Sequence, residues 1–363
     1  MRRPLLRPAL TALSAALLGP ALALPLAALP PAGEDGADPI PRTASGRPDL
    51  SGTYDIASLT PFERDPKYGE QLELTAEEAE AIERQAAMAM AFADAPSDPD
   101  RKAPPKGGDG SAGAAGKVGG YNAFWVDSGT ETLAVGGSFR TSILVDPANG
   151  RLPPLTEAGK ARRAKLRPYV HENTGDAWWL KHEEGPYDDP ESLAVIERCL
   201  YVAPATAPML PVLYNNVKRI VQTDHHLLIL VEWMHEARRV RLGTKHDPPA
   251  HLPEHLRSLA GDSIGWWEDD TLVVETTNFL ERPGVARQGL RIVERFSRMG
   301  PQTLLYEFTV HDPDYTAPYS GELPFPQTDG KLYEYACHEG NYAMGNILRG
   351  ARLLEREAME GAE

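Results

Sequence analysis

A chain of 363 residues with 42% hydrophobic side chains can bury a sizeable core, as one large or two modest domains, and is too apolar to be disordered. Its 52 acidic against 37 basic residues give a net charge of −15 with the two signs interleaved, which makes nucleic acid and anionic membrane poor partners. Two cysteines, Cys199 and Cys337, are too few for a disulfide scaffold or an all-thiolate metal site, and leave either one bridge or two buried thiols.

The first element in chain order is a targeting segment. Arg2, Arg3 and Arg7 precede an uncharged, Leu/Ala-rich run that ends in Ala21-Leu22-Ala23, the A-x-A grammar of a secretory signal peptide. Pro20, Pro25, Pro30 and Pro31 interrupt the run, so residues 1–23 are expected to be cleaved and not to span a membrane. No cysteine lies near the cleavage site to take a lipid. The expected mature protein, stripped of its three signal-peptide arginines, carries −18 and is periplasmic or secreted, with no stable membrane insertion. In an oxidising compartment a Cys199–Cys337 bridge would close a long loop and stabilise by about 4–5 kcal/mol.

Residues 24–48, rich in Pro, Gly and acid, read as a disordered leader, and 49–363 as a single β-rich domain. Asp49 to Tyr54 reads as a strand entry in which Gly52 lets the backbone pass close to a neighbour and Tyr54 packs across it. Thr75-Ala76-Glu77-Glu78 is a capping box that opens a helix running to about Asp94. The stretch 95–120 has almost nothing to bury and reads as a mobile loop. Strands are expected over 121–127 and 138–145, a turn over 146–150 and a helix after Thr156. Seven further strands follow over 194–202, 218–223, 227–235, 271–277, 290–299, 303–311 and 331–338, joined mostly by short turns and paired as antiparallel neighbours. An amphipathic helix over 341–357 packs on the sheet.

The expected fold is therefore mainly β: an antiparallel meander closing into a barrel, with helical insertions and a C-terminal helix. The opening Gly-x-aromatic strand, the meander and the terminal helix resemble the lipocalin-like, or calycin, architecture, in which the barrel encloses a ligand. The motifs over 140–147, 197–200, 261–279 and 333–342 resemble a large family of exported bacterial proteins for which no activity is established. That resemblance covers most of the chain from Asp49 to Arg352 and implies export and a single-family architecture, with nothing chemical attached. Trp267 and Asp269 depart from the small or charged residue and the Gly expected there.

Candidate chemistry centres on Tyr333 to Tyr342. On a strand, Glu334 and His338 share a face, a carboxylate beside an imidazole that suits a general base or a supported ligand. His235-Glu236 repeats the pairing, so His338, Glu334 and His235 form the candidate catalytic set, against a bland reading of His338 as a strand-end cap. No HExxH motif is present, Ser263 in Gly261-Asp262-Ser263-Ile264-Gly265 lacks the sharp strand-to-helix turn of a nucleophile elbow, and no metal ligands or cofactor are assigned. Strand parity points Glu232 and Glu294 toward the apolar side, where Arg198 or another inward Arg is the expected partner. Trp266, Glu294, Arg198 and Tyr335 are the candidate ligand-binding residues. Two functions fit: a secreted lipocalin-like binder of a small, partly apolar molecule, or an exported cofactor-free or metal-assisted enzyme (hydrolase, lyase or isomerase) working through His338, His235 and nearby carboxylates. Convergence of these groups around an open pocket favours the enzyme; scattering around an apolar cavity favours the binder.

Overall fold

The computed structural model describes residues 39–94, 100, 126–166, 175–181, 185–282 and 286–361. The expected signal peptide over 1–23, the expected leader before 39, nearly all of the loop expected over 95–120 and most of the strand expected over 121–127 lie outside the described residues.

Gly52 opens the first strand because a Cβ there would meet Gln327 Nε2 at 2.6 Å and the Tyr54 hydroxyl at 2.8 Å. The space it leaves lets Tyr54, fully buried, donate to the Leu50 carbonyl at 3.0 Å. The strand is β1 (Gly52–Asp55), followed in chain order by β2 (Glu73–Leu74), β3 (Ala134–Val135), β4 (Ser138–Arg140), β5 (Leu144–Asp146), β6 (Val217–Gln222) and β7 (His226–Val231). The remaining strands are β8 (Ala237–Thr244), β9 (Asp262–Glu268), β10 (Thr271–Thr277), β11 (Arg291–Arg298), β12 (Thr303–His311) and β13 (Tyr319–Pro326). One ten-stranded sheet runs β1-β6-β7-β8-β9-β10-β11-β12-β13-β5, and a small second sheet runs β2-β4-β3. Along β12, Leu304, Tyr306, Phe308 and Val310 are buried and the residues between them are half-buried, the period of two that a one-sided core imposes.

The large sheet is curled and is not a closed barrel, since β1 and β5 remain its two edges. An isolated bridge between Tyr54 and Gln327, and the Thr328 N–H donating to Thr53 O at 2.9 Å, bring the free side of β1 against the chain just beyond β13. Pairing is antiparallel except between β8 and β9, which run parallel. The Pro-rich crossover 245–261 turns the chain round before β9, so the expected run of antiparallel neighbours is broken there.

Four α-helices occur among the described residues: α1 (Ala76–Ala93) behind the Thr75/Glu78 capping box, α2 (Glu157–Leu166), the one-turn α3 (Ala203–Thr206) and the C-terminal α4 (Tyr342–Glu360). α4 buries only Ala351 fully. Its polar anchors go to the 178–199 segment, with Trp179 Nε1 donating to Glu355 at 2.8 Å and Asn341 Nδ2 to Glu197 O at 2.8 Å, in place of the sheet packing its apolar spacing suggests.

Several expected strands take other forms. Residues 194–202 coil through turns, with Arg198 N–H on Ala194 O and Cys199 at φ 57°, so no ladder forms. Residues 331–338 have no strand partner among the described residues either: the Tyr333 N–H is taken by the Glu232 carboxylate at 2.9 Å, and Cys337 is bonded to Cys199 across a Cα–Cα distance of 5.5 Å. The shared face proposed for Glu334 and His338 therefore does not exist. β7 ends at Val231, and Met234 and His235, at φ 59° and 42°, reverse the chain into β8, which takes Glu232 and His235 off the strand. Residues 138–145 divide between β4 and β5 in different sheets. β13 carries Pro324, tolerated because β5 pairs only with Ser320 and Gly321, leaving the outer side of Pro324 without a ladder.

Candidate functional site

At the middle of the concave face, β8 and β11 bring Arg238 and Glu294 together, each at most 3% exposed. Arg238 Nε donates to Ser263 Oγ at 2.9 Å, Nη1 to Thr206 O at 3.1 Å and Glu294 Oε1 at 2.9 Å, and Nη2 to Thr276 Oγ1 at 2.7 Å and to Glu294 Oε2. All five guanidinium N–H groups are thus used. Burial alone would lower the Arg238 pKa, and the Glu294 carboxylate more than reverses it. Tyr306 donates to Glu294 at 2.8 Å and accepts from the Met209 N–H at 2.8 Å; burial, then the Glu294 charge, pushes its hydroxyl pKa well up. The inward parity of Glu294 is as the sequence indicates, and its partner is an inward arginine, Arg238, in place of Arg198, supplied by a strand three places away that parity in one strand cannot identify.

This network has a second effect. By holding Thr206 O and Met209 N, it fixes the 203–210 segment, and Ala203, Ala207, Pro208 and Leu210 of that segment wall a cavity of about 500 Å³ at the end of the concave face. Its floor is a row across three strands: Ile292 faces Val310, and Val310 faces Tyr319. Phe62, Tyr319 and Tyr315 add an aromatic side with edge-on rings, centroids 6.4 and 5.5 Å apart. Burial pushes the Tyr319 hydroxyl pKa up, so it stays neutral.

The mouth is charged. Arg287 Nε donates to Asp312 at 2.6 Å and lies 3.1 Å from Asp314, while Arg162 Nε donates to Asp314 at 2.8 Å. Burial would lower the Arg287 pKa, but Asp312 and Asp314 raise it; hydrogen bonding to Asp314 raises that of Arg162. Arg163 Nη2 donates to the Tyr315 hydroxyl at 2.9 Å, and its guanidinium lies 5.9 Å from that ring centroid. Arg282 donates to the Glu281 carbonyl at 3.3 Å, beside a pair of backbone bonds that close the loop from Arg282 to Ala286.

The residues singled out from sequence do not gather here. His338 and Glu334 are exposed, and among the described residues no hydrogen bond joins either side chain to another of the set. His235, also exposed, meets the Tyr335 carbonyl through Nδ1 at 3.3 Å. Tyr335 stacks on Tyr214 at 6.2 Å, and Arg198 pairs with Glu191 at 2.8 Å. Trp266 is the outward member of its doublet, bonded to Glu268, whereas Trp267 joins the core. None of Trp266, Glu294, Arg198 and Tyr335 lines the cavity, although Glu294 braces its wall. Among the described residues no group of three or more His, Cys, Asp or Glu could hold a metal ion.

A polar cluster on the outer face carries no local sequence signal. His251 contacts Asp262 through Nδ1 at 2.8 Å and Glu275 through Nε2 at 3.2 Å, Arg241 forks onto Asp262, and Arg291 bridges Glu275 and His311. Burial would raise the Asp262 pKa, but the Leu252 N–H, His251 and Arg241 together lower it. Its partners lie eleven and twenty-four residues beyond His251 on separate strands, so no local spacing marks them.

Compared with known proteins, the chain matches no protein family model and no curated protein.

Proposed function

We propose that this is a secreted, lipocalin-like protein that binds a small, partly apolar molecule in the cavity floored by Ile292, Val310 and Tyr319. The observation that carries the reading is the cavity itself: about 500 Å³, within the range of small-molecule sites, with Ile292, Val310, Leu290 and Leu210 among an apolar lining and its charges grouped around Asp312 and Asp314. The dispersion of His338, Glu334 and His235 supports binding over catalysis through those residues. The Cys199–Cys337 bridge suits an oxidising compartment, which supports the export part of the reading.

Native mass spectrometry of protein purified from the periplasm tests it. The wild type should retain added mass, and Leu290→Trp, which fills the mouth from a half-buried position, should lose it without a lower melting temperature. A wild type that retains nothing and binds no neutral apolar dye would overturn the assignment. Intact mass on the same sample should show a chain starting at Leu24; a chain starting at Met1 would end the export claim.

A further inference from the structure

The charges at the mouth of the cavity are unequal in kind. Arg162, Arg163, Arg282 and Arg287 face Glu281, Asp312 and Asp314, a net of +1 in a chain of net charge −15. Asp312 and Asp314 are consumed by Arg287 and Arg162, and Glu281 adds its field to Arg162. Among the described residues, neither Arg163 nor Arg282 lies within salt-bridge distance of a carboxylate. Arg163 is instead steered by the Tyr315 hydroxyl and ring, and Arg282 by the carbonyl of its own neighbour. Neutral acceptors orient a guanidinium without cancelling its charge. Two forked donors are therefore held at the entrance to an apolar chamber in an otherwise acidic protein.

We propose that the ligand is an anionic amphiphile, an apolar body with a single oxyanion head, and that Arg163 and Arg282 receive the head while the Ile292–Val310–Tyr319 floor receives the body. This rests on the reading of the cavity as a ligand site. A planar guanidinium fork matches an oxyanion with two parallel N–H···O bonds, so charge at the head is where discrimination arises. An uncharged molecule of the same length gains the floor but leaves the fork unused.

The test uses mature protein freed of copurifying ligand by denaturation and refolding with the disulfide intact. Dissociation constants are measured by calorimetry for dodecanoate, dodecanol and dodecylamine, each below its aggregation limit. Dodecanoate should bind about tenfold or more tighter than dodecanol, and dodecylamine most weakly. The dodecanoate affinity should fall with added salt while that of dodecanol holds. In Arg163→Gln/Arg282→Gln, two exposed positions whose change should leave melting intact, dodecanoate should drop to the dodecanol value, with dodecanol itself unaffected. Equal binding of dodecanoate and dodecanol in the wild type would overturn the charge assignment and leave the cavity reading standing. Retained preference in the double variant would overturn the two arginines as its source. Absence of binding by all three probes and by a neutral apolar dye would remove the cavity reading, and this proposal with it.

Discussion

Arg238 on β8 and Lys218 on β6 both point to the inside of the curled sheet, and neither side chain reaches water to any extent. Around Arg238 every donor is matched, and the cation ties β8, β9, β10, β11 and the 203–209 segment into one unit. Around Lys218 the opposite holds: among the described residues its Nζ has no hydrogen-bond partner. Burial drives its pKa down to about 8, with Glu232 and Asp55 opposing from a distance. The difference follows from chemistry. Arginine keeps its proton, so burial favours pairing it as Glu294 pairs Arg238, whereas a lysine left unpaired can relieve its burial by becoming neutral. One cation organises the region that walls the cavity; the other is a standing cost at the opposite, β1–β6–β7, end.

The largest effect should come from breaking the satisfied pair on one side only. Glu294→Gln leaves the Arg238 charge buried without its counterion and should cost about 3–5 kcal/mol in urea unfolding. Arg238→Met/Glu294→Leu removes both charges and should recover most of that loss. A Glu294→Gln protein with wild-type stability would mean the network does not bear on folding.

The unsatisfied side predicts a pH effect of opposite sense. The folded amine near pKa 8 lies below its ordinary value of 10.5, so between those values the unfolded chain holds more protons than the folded one. The penalty is fully present below about pH 8 and is relieved as pH rises toward 10.5. Wild-type stability should therefore gain on Lys218→Met by up to about 3 kcal/mol across that window. A difference that stays flat from pH 7 to 10 would sink the idea of a destabilising buried ammonium.

A third, half-exposed cluster sharpens the contrast at the smallest scale. Asp262 is held by His251, Arg241 and the Leu252 N–H, and its pKa lies below the ordinary value. Its contribution is present above the unfolded carboxylate pKa and is lost as pH falls through the lower folded one. Asp262→Asn should cost about 1–2 kcal/mol at pH 7, with the gap to wild type closing in acid. An equal gap at pH 7 and pH 3 would assign the cost to packing and not to charge.

The same contrast explains what could be foreseen. Glu294 was legible as an inward carboxylate because Ile292 and Phe296 flank it at a spacing of two within one strand. Arg238 was not, because Arg238, Arg239 and Arg241 make β8 look polar on both faces until the sheet shows Arg238 and Val240 pointing in. Residues 331–338 carry a good alternating pattern, yet a strand needs a partner, and there the chain is held by Glu232 and by Cys199. The cavity was invisible for a related reason: its lining comes from Phe62, Leu152, Arg162 and Arg163, the 203–210 segment and residues between Glu281 and Tyr319, four stretches that only the fold brings together.

Neighbours a few residues apart are enough to set the capping box of α1, the period-two faces of β11 and β12, the β-rich class of the fold and its acidic charge. The parallel junction of β8 with β9, the failure of the sheet to close, the Arg238–Glu294 pairing and the arginine-rimmed cavity were decided only by tertiary structure. Backbone preferences and side-chain parity act over one or two turns of chain. Which edge meets which, and which buried charge finds a partner, depends on contacts between residues such as Arg238 and Glu294, separated by 56 positions.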